Sequence, residues 1–66
     1  MTVKINAKEF EIEEQMTLLE LVIRNGLPTD GIVMIIEDRI IGRGKWENII
    51  AKDGMEIIML QAVSGG

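Results

Sequence analysis

Two groups of residues in this chain have the type and spacing to do chemistry: the closing Gly65-Gly66 and the alternating acids Glu9, Glu11 and Glu13. A closing diglycine presents a backbone carboxylate on an arm without side chains, which can thread a slot too narrow for any other residue. Such an arm suits delivery of Gly66 into another protein's active site. Chain ends are also often Gly-rich without purpose, and two residues alone do not separate the readings. The acids would line one face of a strand and could hold a hard cation. They lack the carbonyls and glycine of a calcium loop, so a solvated face is expected and no metal is assigned.

Composition narrows the field further. Without cysteine there is no disulfide framework, thiolate zinc site, iron–sulfur ligation or cysteine nucleophile. Histidine is absent too, which removes the commonest general base and metal ligand. The chain is therefore expected not to be an enzyme by itself. A net charge of -4, one Trp, one Phe and no Tyr disfavour nucleic acid, which would be repelled and would find no stacking platform. No cationic segment followed by an apolar run opens the sequence, and no apolar stretch nears the roughly 20 residues that span a bilayer. No membrane partner and a soluble, cytoplasmic protein are the expectations. At 66 residues the chain makes one domain with a small core, since a chain near 60 residues buries only about 60% of its unfolded surface. Little room remains for an enclosed active site.

The elements that would position the arm follow from periodicity. Val3 and Ile5 alternate with polar residues, as do Phe10 and Ile12, predicting two half-buried strands joined by a turn at Asn6-Ala7-Lys8. Thr17 and Glu20 form a capping-box pattern, with Met16 and Leu21 placed for the hydrophobic staple and Gly26 as a left-handed stop. This predicts a helix over 18–25. Ile32 to Ile36 is an apolar run too short for a helix and reads as a third strand. Glu37-Asp38-Arg39 turns into a short Ile40-Ile41 strand. Gly42 and Gly44 bracket a flexible stretch before Trp46, Lys52-Asp53-Gly54 turns again, and Met55 to Val63 forms the last strand. The domain takes in 1–64, with a flexible tail from about residue 63, and 65–66 form the diglycine.

One helix covers one face of such a sheet and leaves the other open. Glu37 shares parity with Val33 and Ile35, and Glu56 with Ile58 and Leu60, so those four aliphatics point outward. Met34, Ile36, Ile57 and Met59 belong to the core. Val33, Ile35, Ile58 and Leu60 together are expected to form an apolar docking patch. Trp46 is expected to pack over the end of the small core rather than to anchor a partner.

The ordered set resembles a known family. Val3-Lys4-Ile5-Asn6, Thr17-Leu18-Leu19-Glu20-Leu21, Arg43-x-x-Trp46, Asp53-Gly54 and the closing Gly65-Gly66 together look like the ThiS sulfur carriers of the ubiquitin-like β-grasp superfamily. The resemblance implies an α+β fold with a mixed sheet of about five strands and one main helix packed on one face. Departures include Ala7, where the family often has Gly, and Met55, where an acidic residue is common.

What the resemblance implies is chemistry at Gly66, performed by partners. A ThiF-like adenylyltransferase using ATP and Mg joins the Gly66 carboxylate to AMP, and a persulfide sulfur donor displaces AMP. Cleavage of the resulting acyl disulfide leaves a thiocarboxylate, whose sulfur passes to a thiazole synthase for thiamin. Val63, Ser64 and Gly65 would thread into the partner's active site, while the chain itself binds no cofactor. Two alternatives stay open. One is a MoaD-like subunit giving sulfur to molybdopterin through a large synthase subunit, and the other is a ubiquitin-like tag or adaptor.

Overall fold

Alternating strands closed by tight turns, and one short capped helix, build the architecture. In the computed structural model, which describes residues 1–61, the order is β1 (Thr2–Ile5), β2 (Lys8–Glu11), α1 (Leu18–Arg24), β3 (Ile32–Ile36), β4 (Arg39–Ile41), a 3₁₀ helix (Arg43–Asn48) and β5 (Glu56–Gln61). The strands form one sheet in the order β2-β1-β5-β3-β4. β1 and β5 run parallel at its centre, and the other pairings are antiparallel. This is the mixed α+β sheet with one main helix that the sequence predicts.

Both hairpins close with two residues rather than three. Asn6 and Ala7 have φ of 51 and 70, Glu37 and Asp38 have φ of 50 and 64, and Lys8 and Arg39 already pair with Ile5 and Ile36. Positive φ at both central positions matches the right-handed twist of the flanking strands, the geometry for which Asn-Gly is the favoured sequence. Ala7 and Asp38 occupy second positions where glycine would fit without strain.

The helix is bounded as its sequence dictates. The Thr17 hydroxyl accepts from the Glu20 N–H at 3.1 Å while the Glu20 carboxylate accepts from the Thr17 N–H, also at 3.1 Å. At the other end Gly26 has φ 63, the Leu27 N–H donates to the Val22 carbonyl and the Gly26 N–H to the Ile23 carbonyl. That is a Schellman closure, with Asn25 as the cap rather than the last helical residue. A seven-residue helix is marginal alone, so Leu18, Leu21 and Val22 hold it by burial against the sheet.

The stretch after β4 departs from expectation. It is a 3₁₀ helix, not a flexible glycine-bracketed segment. In that geometry residues three apart eclipse, which sets the Arg43 guanidinium over the Trp46 ring at 5.3 Å. Trp46 is fully buried and its Nε1 donates to the Ile41 carbonyl at 3.2 Å. The Arg43-x-x-Trp46 pattern is thus a structural pin. After it, the Leu18 N–H donates to Ile49 and the Ala51 N–H to Met16, fastening this segment to the start of α1. The core comprises Val3, Ile5, Ile12, Met16, Leu18, Leu21, Val22, Ile32, Met34, Ile36, Trp46, Ala51 and Ile57.

Candidate functional site

Val33, Ile35, Ile58 and Leu60 are brought together as two directly opposed pairs. β3 and β5 are antiparallel neighbours in a register that sets Val33 against Leu60 and Ile35 against Ile58. Met34 stands against Met59 on the opposite face. Alternation does the sorting: Ile32, Met34 and Ile36 are buried, whereas Val33 and Ile35 are half-buried from the other side. On β5, Ile57 is buried, while Ile58 is 48% and Leu60 49% exposed. Met59, expected in the core, is half-buried and packs against its margin.

A fifth aliphatic extends the patch. Ile40 on β4 lies opposite Ile35 and is 73% exposed, whereas its neighbour Ile41 lies opposite Met34 and is half-buried. Local sequence puts Ile40 on a strand but does not fix its face. The turn length was the missing signal, because a two-residue turn pairs Ile36 with Arg39 and so puts Ile40 in line with Ile35. An apolar band therefore crosses β5, β3 and β4.

The remaining outer face is charged. Lys4 lies between Glu56 on β5 and Glu9 on β2, and Glu11 faces Thr2. Glu37 and Asp38 are exposed at the turn beyond Ile35. The result is an apolar band with a mostly acidic border, the anatomy of an interface whose core is dry and whose rim is wet. The row of acids is shorter than expected. β2 ends at Glu11, leaving Ile12 and Glu13 outside the strand, and Glu13 forms an ion pair with Arg24 of α1.

Val63, Ser64, Gly65 and Gly66 lie outside the described residues. β5, whose last described residue is Gln61, leads directly toward them, and Met55 precedes the strand rather than opening it. Among the described residues no helix is long and apolar enough to cross a membrane. No group of His, Cys, Asp or Glu among them has the arrangement of a metal site.

Comparison with known proteins agrees with this geometry. The model of the ThiS family matches residues 3–66. Among solved structures, the thiamine biosynthesis protein (ThiS) from Geobacter metallireducens superposes with a TM-score of 0.79 at 17% identity, covering 100% of both chains. The likeness extends to the β-grasp fold throughout. No curated protein matches the chain.

Proposed function

The chain belongs to the ThiS family, the sulfur carriers of thiamin biosynthesis, and from that premise we propose that its Gly66 carboxylate is the sulfur-bearing group. The family match across residues 3–66 is the observation that carries the reading, because it spans the scaffold, the outer face and the closing diglycine together. It supports the thiazole branch over a molybdopterin subunit or a conjugated tag.

The chemistry has a physical necessity. A carboxylate is a poor electrophile, since its charge is delocalised and oxide is a bad leaving group. A carboxylate oxygen of Gly66 attacks the α-phosphorus of ATP and expels pyrophosphate, giving an acyl-adenylate. The terminal sulfur of a persulfide then attacks the carbonyl carbon, and AMP leaves. A second thiol attacks the inner sulfur of the acyl disulfide, forms a disulfide with the donor and releases the thiocarboxylate. The adenylyltransferase supplies Mg-ATP handling and acid–base groups. This chain, with neither cysteine nor histidine, supplies the acyl terminus and no competing thiol.

The described residues support the other half of the task. Val33, Ile35, Ile58 and Leu60 dock the body on a partner while Val63, Ser64 and Gly65 enter its active site. An adenylyltransferase and a thiazole synthase must use the carrier successively, so a modest apolar band with a charged rim fits transient complexes. The acidic border favours basic partner faces and faster encounter.

Intact-mass measurement on protein from its own host tests the proposal. A species heavier by the exchange of one oxygen for sulfur, absent when Gly66 is deleted, is expected. Only the unmodified mass under sulfur-replete, pathway-active conditions would refute the carrier reading. An isopeptide-linked ladder in extract would favour the tag.

A further inference from the structure

Asn6 makes a contact that neither the core nor the docking band requires. Its Nδ2 donates to the Met59 carbonyl at 3.3 Å, and its Oδ1 accepts from the Met59 N–H at 2.9 Å. The ladder between β1 and β5 explains why. The Lys4 N–H donates to the Met55 carbonyl and the Asn6 N–H to the Ile57 carbonyl, both at 2.9 Å. Bonds of a parallel pair run evenly in alternating directions, so the Asn6 carbonyl would be next to accept, from the Met59 N–H.

That carbonyl is diverted, because Asn6 has φ 51 and opens the turn into β2. The side-chain carboxamide takes the vacant rung and adds a donor for the Met59 carbonyl, using both halves of its hydrogen-bonding capacity. Met59 is consequently held from both flanks, by Asn6 on one side and by its place opposite Met34 on the other. It lies two residues before Gln61, the last described residue of β5.

We propose that Asn6 is a positioning residue for the chemistry at Gly66: its clamp on Met59 fixes the direction in which β5 hands the chain to the acyl-bearing arm. The inference rests on the carrier reading given above. A group delivered to a buried reacting centre is sensitive to its anchor, since misplacement by about 1 Å can cost about 100-fold in rate. The role runs through the Met59 backbone, which both polar atoms of the Asn6 side chain engage.

Asn6→Gly separates this role from folding, because glycine accepts the positive φ of the turn and removes both side-chain bonds. Two readouts apply: amide exchange at Met59, and ATP–pyrophosphate exchange by the adenylating partner with this chain as substrate. Asn6→Gly is expected to speed exchange at Met59 by about 10-fold, leaving the amides of β3 protected. It should lower kcat for adenylation by about 10-fold with KM within about 2-fold, since the docking band is untouched. A purely stabilising residue would leave kcat at the wild-type value below the melting temperature. Asn6→Asp keeps the acceptor but not the donor and should fall between Asn6→Gly and wild type on both readouts. Unchanged exchange at Met59, or wild-type kcat in both variants, overturns the proposal. A wild-type chain that is never adenylated overturns the carrier reading, and this role with it, whereas wild-type activity undiminished in the variants overturns this role alone.

Discussion

Leu60→Asp and Ile57→Asp place the same carboxylate on opposite faces of β5, and their contrast tests the face assignment and the docking band together. Ile57 is 2% exposed, so its replacement buries an unpaired carboxylate, whose desolvation costs several kcal/mol beyond the lost apolar contact. Domains of this size sit near the low end of the usual stability of about 5–15 kcal/mol, so Ile57→Asp should be unfolded. Leu60 is 49% exposed. Full burial of leucine is worth about 1.5–3 kcal/mol, so its folded half contributes about 1 kcal/mol and a similar amount remains for docking. Adding the low strand propensity of Asp, up to about 1 kcal/mol, Leu60→Asp should lose about 1–2 kcal/mol of stability and stay folded.

At an interface the same change removes the remaining half and drives a carboxylate into a dry contact. A combined loss of about 3 kcal/mol corresponds to docking weaker by about 100-fold. The single, fully buried Trp46 reports unfolding through its emission in a urea titration, and calorimetric titration against the adenylyltransferase reports docking. Leu60→Asp unfolded while Ile57→Asp remains native would show the faces reversed. Leu60→Asp folded and bound as tightly as wild type would remove the band from the docking surface.

Three further outcomes follow from particular residues. Ile40→Ser should weaken docking by about 5-fold while changing stability by no more than about 0.5 kcal/mol, as its 73% exposure implies, and calorimetry with a urea titration would show both. Ala7→Gly should raise unfolding stability by about 0.5–1 kcal/mol, since φ 70 strains a residue bearing Cβ, and a lower urea midpoint would contradict the turn assignment. Thr17→Ala removes the hydroxyl that accepts the Glu20 N–H and should cost about 1 kcal/mol, read as a lower urea midpoint with an unchanged slope.

Wherever the deciding interaction spans only a few residues, the sequence alone determined the outcome. The capping box at Thr17 and Glu20, the apolar run Ile32–Ile36 and the parity that separates Ile57 from Ile58 each depend on neighbours along the chain. Parity also assigned Val33, Ile35, Ile58 and Leu60 to the outward face. On β5 a side-chain period of two follows from solvated Glu56, whereas on β3 the marker used, Glu37, stands in the turn at φ 50, and the alternation of buried Ile32, Met34 and Ile36 is what sorts Val33 and Ile35. Gly65-Gly66 stood out as a candidate arm for the same reason, being a property of two adjacent residues, but the pair by itself did not separate a reactive terminus from a bare chain end.

Tertiary structure decided what depends on register and on partners distant in the chain. Pairing of β3 with β5 turned four outward aliphatics into two opposed pairs, and the tight turn at Glu37-Asp38 added Ile40 to them. Burial of Trp46 under Arg43 wound a glycine-bracketed stretch into a 3₁₀ helix. The same holds for Asn6, which locally is only a turn residue. Its hold on Met59, 53 positions away, exists because the ladder of β1 against β5 runs out where the chain must turn, leaving a rung that only a side chain can fill.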